Sequence, residues 1–270
     1  MIGGAVTRPR GFALVIVLWT LVLLSFVMTH MVTAGRTEAR IAANFVANAD
    51  AETQADGAVL ETVFRMIDTS DAHWDVGDGP RMLRMRQAKA AITIASEGGK
   101  VNPNTASAQM LAALMLVCGA KQAQATTLAA RILDWRQSDD NDKSATDRKL
   151  SQYRAAGLSY GPPGSPFESL DEISKVLGMT PDLFRRLKPN LSLFQTGDPE
   201  PGTATPLVAK ALKALALPPA PANQDIQQTV SIIARVTTER GGNYLRHAVV
   251  RIDPPSSQTY SILAWDTDAN

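Results

Sequence analysis

Cysteine is almost absent from this chain. Cys118 is the only one among 270 residues, so no internal disulfide can form. An exported chain without that staple must be stabilised by its core, or by its core together with bound metal. Cys118 follows Leu114, Leu116 and Val117, and reads as a small buried hydrophobe rather than a nucleophile. Histidine is scarce as well. His30, His73 and His247 lie far apart and lack the spacing of a ligand set. No phosphate-cradling glycine loop, nucleophile elbow or zinc signature occurs, so an enzyme is not expected. Nor is charge of one sign in excess: a net charge of +1 gives no global reason for a polyanionic partner.

Charge is missing altogether from one stretch. Phe12 to Met28 reads FALVIVLWTLVLLSFVM and contains no Asp, Glu, Lys or Arg. With the more polar Thr29 to Ala34 it reaches the roughly 20 residues that cross a bilayer core. Arg8 and Arg10 precede it and place that end in the cytoplasm, although Arg36 and Arg40 follow it on the far side. Three readings fit. A secretory signal would be cut after Ala34, at the small-residue site Val32-Thr33-Ala34. A signal anchor would stay uncut. A type IV prepilin would be cut between Gly11 and Phe12, keeping the apolar segment in the mature protein. Proline is also absent from Gly35 to Ile67, where apolar residues recur at Ile41, Phe45, Val46, Val59, Leu60, Val63, Phe64 and Ile67. Those spacings suit one helix face, and a membrane helix running straight into an amphipathic one favours the prepilin reading.

The remainder divides by texture. Ala90 to Ser96 is predicted as a strand and Glu97-Gly98-Gly99 as a turn. Helices follow, one from Ser107 to Val117 capped by Asn104 or Thr105, and one from Gln122 to Arg136. Short ones are expected at Ser169 to Leu177 and at Pro181 to Leu187, the latter with Thr180 as cap and proline first. From Leu191 the pattern returns to strand, with a loop at Thr196 to Pro206 and an extended linker at Leu217 to Ala222. Thr229 to Thr238, Asn243 to Ile252 and Gln258 to Trp265 predict an antiparallel meander. The expected fold class is α+β: a long N-terminal transmembrane and amphipathic helix, and a pilin-like antiparallel sheet interrupted by an inserted all-helical domain. The expected units are a leader (1–11), a spine helix (12–67), a first pilin-like part (68–100), the helical insertion (101–190) and a second pilin-like part (191–270).

Several blocks, in this order, carry a resemblance. They are Arg10-Gly11-Phe12, Lys100 to Ala106 (KVNPNTA), Asp134-Trp135 followed by Asp139-Asp140, Phe167 to Glu172 (FESLDE), and Gly178-Met179-Thr180-Pro181 leading to Leu187, Pro189 and Leu191. Together they resemble general secretion pathway protein K, the largest minor pseudopilin of the type II secretion system. The resemblance implies cleavage after Gly11 and methylation of Phe12 by a prepilin peptidase. It implies minor pseudopilins I and J as partners, and an inner-membrane, single-pass location with a cytoplasmic N-terminus and a periplasmic body. Counting Phe12 as first, Ile16 is fifth, where most pilins carry glutamate. A carboxylate there needs the N-terminus of a neighbour to neutralise it. An apolar residue fits a subunit with no neighbour above, so the resemblance implies a place at the pseudopilus tip.

The resemblance also implies calcium near Asp134, Asp139, Asp140, Asp142 and Asp147, and such oxygen-rich loops suit that ion. Gln137 stands where the family often has another Asp. An EF-hand beginning at Asp140 fails, with Ala145 at the glycine position and Ser151 at the closing glutamate. A solvated, salt-bridged loop remains open beside the metal site. Val101 to Ser107, followed by Met110 to Leu114, also resembles the helix-hairpin-helix segment of exported DNA-uptake proteins. Its hairpin, Met115 to Gly119, lacks the Gly-hydrophobic-Gly that grips phosphates, so no nucleic acid is expected. A signal-anchored periplasmic domain is the remaining alternative.

Overall fold

The computed structural model describes residues 10–77, 79–138, 143–215, 228–253 and 260–267. Helix α1 is unbroken from Arg10 to Ile67, 58 residues and about 87 Å at 1.5 Å per residue. No proline interrupts it. Strands β1 (Arg81–Arg84) and β2 (Ala88–Ser96) follow, then helices α2 (Ala108–Val117), α3 (Gln122–Arg136) and α4 (Lys143–Ala155). A 3-10 turn at Leu170–Lys175, α5 (Pro181–Leu187) and α6 (Pro206–Ala214) complete the helical part, and β3 (Gln228–Thr238), β4 (Asn243–Ile252) and β5 (Tyr260–Asp266) close the chain. The five strands form one antiparallel sheet in the order β1-β2-β3-β4-β5. The expected α+β class and C-terminal meander are therefore present.

Period-2 alternation decides which sheet face meets α1. Ala90, Ile92 and Ile94 of β2, Ile232, Ala234 and Val236 of β3, and Ala248, Val250 and Ile252 of β4 are buried on one side. The helix answers with small residues. Ala51, Ala55 and Ala58 are fully buried beside Val59, Thr62 and Val63, which lets the helix lie close on the sheet. Thr62 Oγ1 donates back to the Ala58 carbonyl at 2.7 Å, so its hydroxyl is satisfied within the helix. At the β3–β4 turn the approach is closer still: a Cβ on Gly242 would strike the carbonyl oxygen of Ala47.

This corrects the expected apolar face of α1. Val59 and Val63 lie in the core, but Ile41, Phe45, Val46, Leu60 and Phe64 are exposed, Phe45 by 73% and Phe64 by 65%. The alanines take the sheet because only small side chains permit the close approach, which turns the larger ones outward.

The insertion leaves and returns between adjacent strands. β2 and β3 pair from Ala88↔Thr238 to Ser96↔Val230, and Glu97 N–H donates to Thr229 O at 2.9 Å beyond that register. The stem is then locked. Val101 N–H donates to Asn190 O (2.9 Å), Ser192 N–H to Val101 O (3.0 Å), and Asn102 Nδ2 to Gln195 O (2.6 Å). A Cβ on Gly99 would collide with the backbone at Thr203. Inside the insertion a second core gathers Leu111, Leu114, Met115, Leu128, Ile132 and Trp135, with Tyr153, Phe167 and Leu187 around them. Trp135 stacks on Phe167 at 5.8 Å and 3°.

Local expectations fare unevenly. α3, α5 and the Thr180 cap stand as expected, with Leu183 N–H donating to Thr180 Oγ1 at 3.3 Å. The cap of α2 is Ser107, which accepts from Met110 N–H at 3.1 Å, not Asn104 or Thr105. Asn104 is used elsewhere, pairing with both backbone groups of Phe167 at 2.7 and 3.0 Å. The return to strand at Leu191 is a single parallel bridge to Val101. α6 follows, and its Val208 and Ala211 belong to the helical core, so that core runs past residue 190. The expected linker Leu217 to Ala222 and leader residues 1–9 lie outside the described residues.

Candidate functional site

The first half of α1 packs against nothing. Phe12 to Met31 is exposed throughout, and this is the one helix among the described residues long and apolar enough to cross a membrane. It fits a single-pass anchor. Two of its hydroxyls bond back to the helix: Thr20 Oγ1 donates to Val17 O and Thr29 Oγ1 to Ser25 O, both at 2.8 Å. Neither then presents an unsatisfied donor to hydrocarbon. Gly11, Phe12 and Ile16 all lie in this helix, which begins at Arg10.

The second half of α1 is fastened to β4 by charge. Arg246, 6% exposed, donates from Nε to Asp56 Oδ1 at 2.6 Å and from Nη2 to Glu52 Oε1 at 2.8 Å. Tyr244 donates its hydroxyl to the same Glu52 oxygen at 2.8 Å. The guanidinium lies over the Tyr244 and Trp265 rings at 5.0 and 5.4 Å. The Tyr244 hydroxyl and then Arg246 hold the Glu52 carboxyl below its ordinary range. Burial works against the charge on Arg246, but the hydrogen bond and charge of Asp56, with help from Glu52, outweigh it and raise the guanidinium's pKa. Breaking such a partly buried network exposes unpaired charge, so it fixes the helix in one register on the sheet.

The acidic cluster is described only in part. Asp139, Asp140 and Asp142 lie outside the described residues. Asp134, in the last turn of α3, is half-exposed and pairs with Lys149 Nζ at 3.4 Å, while Asp147 is exposed on α4. Among the described residues no three acidic, histidine or cysteine side chains converge as a metal set. The buried Trp135 Nε1 nearby has no acceptor; as a donor it offers nothing to a cation. In the α2–α3 hairpin Met115 and Cys118 point into the core, and Gly119 takes φ +94°. Burial pushes the Cys118 thiol up, consistent with a packing role.

Residues 87–196 match the protein-family model described as type II secretion system (T2SS), protein K. The match covers less than half of the chain, and over that stretch the sequence is similar to protein K. Among solved structures, the fold is similar to a chain of the GspK-GspI-GspJ complex from the enterotoxigenic Escherichia coli type 2 secretion system. The TM-score is 0.57 at 18% identity, covering 87% of this chain and 99% of that one. At that identity the likeness establishes the architecture: long helix, antiparallel sheet and inserted helices. No curated protein matches. The protein K match spans β2 through α5 and stops at residue 196, whereas the helical core continues into α6.

The Arg246 clamp was legible in principle. Arg246 shares the period-2 phase of Ala248, Val250 and Ile252, which aims a cation at the core, and Glu52 and Asp56 are one helical turn apart. A charged residue on an inward strand position is the signal that a partner carboxylate must exist. Nothing comparable marks Asn104 as the clasp on Phe167.

Proposed function

We propose that this chain is a minor pseudopilin of the type II secretion system, non-enzymatic, placed at the pseudopilus tip and priming assembly for protein export. The observation that carries the reading is α1, a single helix whose first half is bare apolar surface and whose second half closes the sheet of a chain whose residues 87–196 match the protein K model. Such an element suits a subunit held in a membrane and then packed by its spine. The chain would sit in the inner membrane as a single pass, N-terminus cytoplasmic and body periplasmic, with Arg8 and Arg10 on the inside. The exposed residues Ile41, Phe45, Val46, Leu60 and Phe64 offer apolar surface to neighbouring spines. By likeness to the complex named above, those neighbours are minor pseudopilins I and J. Ile16 leaves no buried carboxylate needing an ammonium from a subunit above, which favours the tip.

Processing by a prepilin peptidase between Gly11 and Phe12 is the step that tests this most directly. Mass spectrometry of the mature N-terminus is expected to find N-methylated Phe12. A start at Arg36 would sink the reading, and an intact Met1 would leave only an anchor. Imaging of labelled pseudopili tests the tip: regular labelling along the shaft would exclude it. Calcium in the loop of Asp134, Asp139, Asp140, Asp142 and Asp147 belongs to the same reading, and would have to displace Lys149 from Asp134. Titration calorimetry with no calcium heat would remove it.

A further inference from the structure

The sheet face turned away from α1 carries an unusual concentration of positive charge at one end. The β1–β2 and β3–β4 turns lie together there, joined by Glu239 N–H donating to Gln87 O at 3.1 Å. Around them Arg84, Arg86, Lys89, Arg235 and Arg240 are all exposed, with Glu239 as their acidic neighbour. None of these five cations has an ion-pair partner among the described residues. The chain as a whole is nearly neutral at +1, so the patch is local.

Register sharpens the point. Arg84 of β1 stands directly opposite Lys89 of β2, and like charges so placed destabilise a sheet. Lys89 in turn faces Thr237 of β3, which puts Arg235 one diagonal step away on the same face. A hollow of about 440 Å³ opens at this spot, lined by Arg84, Lys89, Thr237 and Glu239 among others.

We propose that this end of the sheet docks an acidic, extended polypeptide segment of a partner protein, with carboxylates at alternate positions. The first carboxylate sits between Arg84 and Lys89 and cancels their repulsion. The second reaches Arg235. Side chains two apart on an extended strand are separated by about 6.7 Å, close to the ~7–8 Å diagonal between Lys89 and Arg235. A lipid surface is the competing anion, and distance disfavours it. The apolar span ends by Ala34, whereas Met85 of the β1–β2 turn packs beside Gly57 of α1. That length of helix puts the β1–β2 turn ~35 Å above the bilayer core and the β3–β4 turn, where Gly242 meets Ala47, ~20 Å above it. Headgroups add ~5–8 Å, and screening confines their field to about a further 8–10 Å. The inference rests on charge, register and the membrane anchor, and does not depend on the pseudopilin reading.

The test uses the full chain in phosphatidylcholine nanodiscs and two labelled peptides of equal composition, one alternating Glu and Thr, the other with its glutamates in one block. The alternating peptide is expected to bind more tightly, and added salt to weaken it. Replacing Arg84 and Lys89 together by Ala should weaken binding by about tenfold, given two partly exposed charge contacts. The variant Arg84→Glu creates an opposite-charge pair with Lys89, so it is expected to keep or raise the melting temperature while abolishing binding. Lys210→Ala, on the exposed side of α6, should change nothing. Equal binding of the two peptides, or undiminished binding to folded Arg84→Glu, overturns the proposal. Recruitment of the chain to phosphatidylglycerol vesicles through the same residues, with no peptide bound, also overturns it in favour of lipid.

Discussion

The two cores of this molecule are built in opposite ways. The helical insertion fills its interior with large side chains, Leu114, Met115, Leu128, Ile132 and Trp135, all supplied from within its own stretch of chain. The sheet body borrows its second layer from α1, and borrows it as alanines: Ala51, Ala55 and Ala58. A core of large interlocking residues is injured by loss of volume, whereas a core of close-laid small residues is injured by gain. The sheet is closed by α1 and the insertion by its own helices, and the stem hydrogen bonds at Val101, Asn190 and Ser192 join the two.

Substitutions can break that contrast or sharpen it. The largest effect is expected from Leu114→Ala, which opens a cavity in the insertion and should cost about 2–5 kcal/mol. Amide exchange should accelerate in α2 and α3 and stay unchanged in β3 and β4. Equal acceleration in the strands would mean that the two cores melt as one. Next is Ala55→Leu, which forces extra volume between α1 and the sheet and should destabilise the body by ~1–3 kcal/mol. Here the pattern reverses, with exchange rising in β2 to β4 while α2 and α3 keep their protection. A Leu at position 55 that left the strands protected would show that α1 lies more loosely on the sheet than the geometry states.

The smallest effect concerns pH. Glu52 has a depressed pKa in the folded protein, through Tyr244 and then Arg246. Its contribution to stability is therefore full above the ordinary glutamate value of about 4.3. It fades as pH falls below that value and through the folded one. The melting temperatures of the native chain and of Glu52→Gln should differ at neutral pH and converge in acid. A gap that stays constant across that window would remove the ion-pair account. The insertion's ion pairs, such as Lys188 with Asp171 and Lys149 with Asp134, are single contacts to more exposed carboxylates, so its exchange pattern should follow acid less closely.

Much of this was readable beforehand, for reasons that differ by element. The apolar run from Phe12 and the three C-terminal strands announce themselves by period and by the turns between them, and α3 and α5 by period and capping. α6 was hidden because the Pro- and Gly-rich stretch before it reads as loop, although Thr205 caps it through Val208 N–H and Pro206 opens it. α4 was hidden because KSATDRKLSQYRA shows no apolar stripe; Tyr153 alone is deeply buried from it. β1 has four residues, too few for alternation to register. The outward turn of Phe45 and Phe64 was not legible at all, since hydrophobicity ranks phenylalanine above alanine and says nothing about how closely a helix must lie. At the candidate site, the junction at Gly11 and Phe12 and the oddity of Ile16 are sequence features that the fold accommodates in one helix. The phase of Arg246 signals that a carboxylate must meet it, whereas the opposed Arg84 and Lys89 emerge only when strand register is known.

The unbroken α1 also makes the molecule a mechanical part. A pull on its membrane end travels along the helix and reaches the body as a sliding load, shared by the alanine contact with the sheet and by Arg246 gripping Glu52 and Asp56. Contacts loaded in shear share the force along their length instead of failing one at a time. Because β2 and β3 are bonded to each other across the whole register from Ala88↔Thr238 to Ser96↔Val230, that load is spread over paired strands. The helical unit is tied into that sheet at its stem, by the backbone bonds of Val101 with Asn190 and Ser192.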